Sequence, residues 1–141
     1  MATGAETKQI VLAYLDEQGI RYSDRSDERV QCVHFGWTTR VMSDIQLDLF
    51  FDDNGETIHL ATMLPLMVPE DKLAMALVEV NRCNKQYRWI DFYLDDDSTI
   101  MGEIDAVVEP STAGAEILQL IQRTLGICDD AYPKFMRLIW G

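Results

Sequence analysis

The chain reads as an α+β domain of two layers, a five-stranded antiparallel sheet with helices packed on one face, in the order α-βββ-α-ββ-α. Three observations carry that reading. Segments of alternating apolar and polar residues come in consecutive runs of three and two, so neither run needs a crossover helix inside it. Apolar residues at helical spacing fill the stretches before, between and after those runs. The 141 residues hold no internal repeat, low-complexity tract or long linker, which fits one domain spanning 1–141.

The first helix is expected from Glu6 to Gln18, with Ile10, Val11, Tyr14 and Leu15 on one side. Thr3 and Glu6 form a capping-box pattern, and Gly19 supplies a left-handed stop. Ile20 to Arg29 is a polar connector. The first strand, Val30 to Arg40, carries Val33, Phe35 and Trp37 on alternate positions. The second, Asp44 to Asp52, sets Ile45, Leu47, Leu49 and Phe51 against Asp44, Gln46 and Asp48. The third, Thr57 to Leu64, puts Ile58, Leu60 and Leu64 on one side. Asn54-Gly55 between the last two is a short-hairpin signal, because both turn positions favour positive φ.

Pro65 and Pro69 end the sheet run, and a helix from Glu70 to Lys85 lines up Leu73, Ala76, Leu77, Val80 and Asn84. A second hairpin, Trp89 to Asp95 and Thr99 to Val108, turns through the acidic Asp95-Asp96-Asp97-Ser98. Pro110-Ser111 opens a helix to Leu125 with Ile117, Leu118, Ile121 and Leu125 inward. Gly126 is expected to break it, leaving a short last helix, about Asp130 to Ile139, with Tyr132, Phe135, Met136 and Ile139 as its apolar side.

Composition narrows the function classes. An apolar content of 48% is too high for disorder. Net charge is −12, and its distribution is the sharper fact: from Val41 to Asp71 there are seven acids and no Lys or Arg, and from Trp89 to Gln122 eight acids and no base. Such surfaces repel a phosphate backbone and an anionic membrane, so neither nucleic acid nor membrane is an expected partner. Cys32, Cys83 and Cys128 form no C-x-x-C pair and sit in apolar contexts, as small buried hydrophobes do in a reducing compartment. MATGAETKQI lacks the basic start and apolar core of a signal peptide, so the expected location is the cytoplasm.

With the elements placed, Val80-Asn81-Arg82-Cys83-Asn84 ahead of the strand Trp89-Ile90-Asp91-Phe92-Tyr93-Leu94 resembles the YbjN family, labelled bacterial sensory transduction regulators. The resemblance runs from the first helix into the last. It implies a fold like that of type III secretion chaperones, which are small acidic dimers that bind other polypeptides, and it implies no catalytic residues. Read from the residues alone, Asn81 and Asn84 suit a helix end, where asparagine tolerates the left-handed conformation and satisfies terminal carbonyls.

No constellation supports catalysis. Neither a nucleophile elbow nor a clustered-glycine phosphate loop is present, and no cofactor is expected. His34 and His59, with Asp48 or Asp91, lack ligand spacing for a metal. Asp52-Asp53 and Asp95-Asp96-Asp97 lack the alternation of a calcium loop. Asp91 and Glu103 face each other across the second hairpin as two exposed carboxylates. By parity the outward sheet face holds Asp44, Asp48, His59, Met63, Trp89, Asp91, Tyr93, Met101, Glu103 and Asp105. Apolar Met63, Trp89, Tyr93 and Met101 inside a rim of Asp48, Asp91 and Glu103 make the candidate partner-binding surface. The expectation is a non-enzymatic, homodimeric protein-binding module for a basic or amphipathic segment. The alternative is a small-ligand sensor or enzyme with a pocket between sheet and helices.

Overall fold

The computed structural model describes all 141 residues. Helix α1 is Gly4–Glu17; strands β1 to β4 are Ser23–Asp24, Gln31–Trp37, Ile45–Phe51 and Thr57–Met63. A short 3-10 turn, Glu70–Lys72, leads into α2, Leu73–Gln86. Strands β5, Asp91–Leu94, and β6, Ile100–Val107, follow, and a second 3-10 turn, Pro110–Thr112, opens α3, Ala113–Trp140. The strands form one sheet in the order β1-β2-β3-β4-β6-β5. The α+β class with an antiparallel sheet and three helices stands, but the sheet has six strands rather than five and the order is α-ββββ-α-ββ-α rather than α-βββ-α-ββ-α.

Tertiary contacts gather into two compact units. The first comprises Met1–Gly36, Leu47–Leu60 and Asp105–Gln122. Here the Thr3–Glu6 capping box closes the start of α1, and Gly19 follows its end at a φ of 71°. Val11, Leu12 and Leu15 form its buried side, while Ile10, expected inward, is exposed. The sixth strand is β1, which pairs Ser23 with His34 and Asp24 with Val33. Two exposed polar residues carry no alternation to read, and β1 is tied down instead by Asp24 bound to the buried Lys8 at 2.9 Å. The β3–β4 turn differs from the expected one. Gly55 alone has positive φ, while Asn54 uses its side-chain oxygen to accept from the backbone N–H groups of Glu56 and Thr57. A side chain at Gly55 would stand 2.2 Å from the Ala2 carbonyl. Gly114, at the start of α3, lets that helix close on Tyr14, where a Cβ would lie 2.4 Å from the tyrosine's own.

The second unit comprises Trp37–Gln46, Ala61–Ile104 and Arg123–Gly141. Helix α2 packs on β5 and buries Ala76, Val80 and Cys83. Cys83 occupies the inward place expected of Leu77, which is 55% exposed, because burial steps 76, 80, 83 rather than 76, 77, 80. β5 lies at the sheet edge and pairs with β6 in the register Asp91 to Glu103 and Tyr93 to Met101. Their turn places Ser98 at a φ of 67°.

Helix α3 runs unbroken through Gly126, contrary to the expected break there. Within its length Ile117, Ile121, Thr124, Cys128, Ala131 and Phe135 are all buried, spaced alternately four and three residues apart. That stripe stays in phase across Gly126, and burial of one continuous face outweighs about 1 kcal/mol of glycine's lower helix propensity.

Candidate functional site

Strand alternation sorts β3, β5 and β6 as expected, while β2 departs from it, with Cys32 buried beside Val33 and Trp37 only half-buried. In β3 the residues Ile45, Leu47, Leu49 and Phe51 are buried and the intervening ones are not. Phe92, Ile100 and Ile104 are likewise buried, while Asp91, Tyr93, Met101 and Glu103 are not.

On the second unit the wet face has a definite layout. The Leu64 N–H donates to the Ile100 carbonyl at 2.9 Å, which sets Met63 beside Met101. Met101 in turn pairs with Tyr93. Met63, Met101 and Tyr93 therefore form a row across β4, β6 and β5, with Met63 49% and Tyr93 37% exposed. The next row outward from β6 sets Glu103 against Asp91. The Tyr93 hydroxyl donates to Glu103 at 2.7 Å, and that hydrogen bond, with some burial, pushes its pKa up to about 12. Tyr93 is thereby held upright as a neutral, rigid aromatic between an apolar row and an acidic one.

On the first unit the same kind of face carries two histidine–carboxylate contacts. His34 Nδ1 lies 2.7 Å from Asp48, and His59 Nδ1 lies 2.7 Å from Asp105, with the Phe50 ring beside His59. Asp48 is thus engaged by a cross-strand neighbour. No group of three or more His, Cys, Asp or Glu side chains is placed to hold a metal ion.

Trp89 is not on the sheet face. It precedes β5, and its φ of 83° breaks the alternation that would have aligned it with Asp91 and Tyr93. Its ring lies under the Arg123 guanidinium of α3 at 5.0 Å and stays 57% exposed. Together with Tyr87, Arg88, Gly126 and Ile127 these two residues line an open groove of about 410 Å³. Sequence reasoning missed this groove because strand parity was carried two residues past the strand's start and because α3 was expected to break at Gly126.

Asn84 has a structural task, though not the helix-end one. It sits inside α2, where its amide donates to the Phe92 carbonyl at 3.0 Å and accepts from the Phe92 N–H at 2.8 Å. One side chain thus satisfies both outward backbone groups of an edge-strand residue, which blunts that edge against pairing with another chain. Asn81 is exposed.

The three cysteines are free and buried. Burial, ahead of the nearby carboxylates, pushes Cys83 up to about 11 and Cys128 to about 12, so both thiols stay protonated and unreactive near neutral pH. No helix is long and apolar enough to cross a membrane.

The family model described as "YbjN: Putative bacterial sensory transduction regulator" matches residues 7–137. Among solved structures the chain is similar to the crystal structure of YbjN from E. coli, described as "a putative transcription regulator". That likeness has a TM-score of 0.59 at 16% identity and covers 90% of this chain and 92% of the other, which establishes a shared fold. No curated protein matches the chain. With its sheet and most of its first and last helices inside the matched region, this chain belongs to the YbjN family.

Proposed function

We propose that the chain is a non-enzymatic regulatory module that binds another polypeptide and works as a homodimer. The observation that carries this reading is the row Met63–Met101–Tyr93 lying beside the carboxylates of Asp91 and Glu103. A segment with one apolar and one basic side matches those two rows. Methionine adapts to the apolar side, tyrosine anchors it at low entropic cost, and the carboxylates select Lys or Arg and repel acids. The bacterial sensory-transduction description of the family agrees with a regulatory role, and the resemblance to secretion chaperones agrees with capture of a polypeptide.

Helix α2 supports the dimer. Its outward side leaves Met75, Leu77 and Val78 about half exposed. Glu70 and Asp71 precede it, and Arg82 and Lys85 stand in its last turns, so an antiparallel copy would set acids against bases around an apolar centre. Light scattering is expected to give twice the 16.1 kDa chain mass for the native protein and the single mass for Leu77→Glu.

Binding is tested by calorimetric titration with an 18-residue amphipathic peptide of Leu and Lys. Tyr93→Ala is expected to weaken it by about tenfold, the size of an interface anchor, and Asp91→Asn with Glu103→Gln to remove most of its salt dependence. Affinity unchanged in both variants, with the fold intact by circular dichroism, refutes the sheet-face reading.

A further inference from the structure

The groove beside Trp89 has the opposite chemistry to the sheet face, and nothing in the sheet-face reading uses it. Arg82, Lys85, Arg88, Arg123, Lys134 and Arg137 are half of the chain's 12 Lys and Arg residues. All stand in the end of α2, its connector to β5, or α3 from Arg123 onward. The two carboxylates interleaved with them are already engaged: Asp130 accepts from the Tyr87 hydroxyl and Asp129 from the Thr39 hydroxyl. Arg88 and Arg123 are paired with no carboxylate. No acid lines the groove at all. On a chain of net charge −12 this is a local inversion of sign.

The backbone and the rings point the same way. A bulky aromatic residue seldom takes positive φ, and Trp89 does so at 83° while leaving most of its ring in solvent. Burial therefore does not explain the conformation; presentation of the ring does. The Arg123 guanidinium stacks on that ring at 5.0 Å, which fixes its plane and leaves its edge N–H donors free for a carboxylate. Gly126 gives the floor, where a Cβ would meet nothing within 4 Å. Ile127 adds an apolar wall. The volume, about 410 Å³, suffices for an anchoring side chain, and the groove is open rather than enclosed, so it suits a passing chain.

The geometry points to a second docking site: the Trp89–Arg123 groove takes an acidic peptide segment, seating one aromatic or aliphatic side chain on Trp89 and Ile127 above Gly126. Carboxylates on the neighbouring residues of that segment pair with Arg88 and with the free edge of Arg123. A basic segment is rejected there for the same reason that the sheet face accepts one.

The test uses three fluorescein-labelled octapeptides, each with a single Phe, flanked by Glu, by Gln or by Lys, titrated against the full chain by fluorescence anisotropy. The Glu peptide is expected to bind at least about tenfold more tightly than the Gln peptide, and the Lys peptide not measurably once Asp91→Asn and Glu103→Gln have removed the carboxylates of the sheet face that would hold it. Arg88→Ala should weaken the Glu peptide by about tenfold and leave the Gln peptide nearly unchanged. Gly126→Leu, whose Cβ meets nothing within 4 Å and whose side chain would occupy the floor, should abolish binding of both while circular dichroism shows the protein folded. Tyr93→Ala should change none of these affinities, which separates this site from the sheet face. Three results overturn the inference: no saturable binding of the Glu peptide up to millimolar concentration, Glu and Lys peptides binding alike to the Asp91→Asn, Glu103→Gln variant, or Gly126→Leu leaving the Glu peptide's affinity intact. Self-association abolished by Gly126→Leu, with no competition from the Glu peptide, also overturns it by assigning the groove to a second copy of the chain.

Discussion

Replacing Gly126 with alanine tests whether α3 is one helix, and the outcome turns on a sign. In the structure Gly126 lies within Ala113–Trp140, and its φ is outside the left-handed region that Gly19 and Gly55 occupy. An added Cβ meets no atom within 4 Å, so neither overlap nor new burial enters the estimate. What remains is helix propensity, in which alanine is favoured by about 0.8–1.0 kcal/mol over glycine at an interior position. An unfolding entropy of about 2.1 cal/mol/K per residue gives roughly 0.3 kcal/mol/K for a chain of this length, so Tm should rise by about 3 °C. Thermal melts followed by circular dichroism at 222 nm, with urea titrations as a second measure, resolve a shift of that size. A helix that broke at Gly126 would hold it at positive φ, and alanine would then cost about 1–2 kcal/mol. A fall in Tm of several degrees would therefore refute the continuous helix, and with it the floor of the groove beside Trp89.

Two further predictions follow from named contacts. Asn84→Ala removes both hydrogen bonds to Phe92 and should destabilise the protein by about 2 kcal/mol in urea titration, while Asn84→Asp, which sets a carboxylate against a carbonyl, should be no better. A stability change under about 0.5 kcal/mol for both would mean the edge strand does not depend on that side chain. Asp24 accepts from Ser26 and pairs with Lys8, and these contacts, the hydrogen bond first, hold its carboxyl below the usual range. Its folded pKa lies below its unfolded one, so its contribution is present above about pH 4 and lost as pH falls through the folded value. The stability gap between the native chain and Asp24→Asn should therefore be open at pH 7 and close below pH 4, and a gap that stays constant contradicts the pairing.

How far the sequence speaks depends on whether a feature repeats. Alternation over seven or eight residues assigned Leu47, Leu49 and Leu60 to the core and Met63, Tyr93 and Met101 to the wet face, because a one-residue slip would invert every side chain. The capping box at Thr3 and Glu6 was equally plain, since both partners are local. Strand β1 escaped notice because its two residues have no period and are held by a lysine in α1. Trp89 was misplaced because period two ends where φ changes sign, which only the α2–β5 connector decides. The break expected at Gly126 gave too little weight to Thr124, Cys128 and Ala131, small or polar residues that keep the buried stripe in phase. The groove they help support was illegible for the same reason: its walls come from residues more than thirty positions apart, Trp89 and Arg123.

The seven methionines supply the most direct measurement of the central claim. With ¹³C-labelled methionine methyl groups and the Leu/Lys amphipathic peptide as titrant, Met63 and Met101 should shift in a saturable manner. Met42, only 1% exposed in the core, should hold still. Absence of any shift at Met63 and Met101, or shifts confined to Met67 and Met75 on other surfaces, would contradict the assignment of the Met63–Met101–Tyr93 row as the docking face.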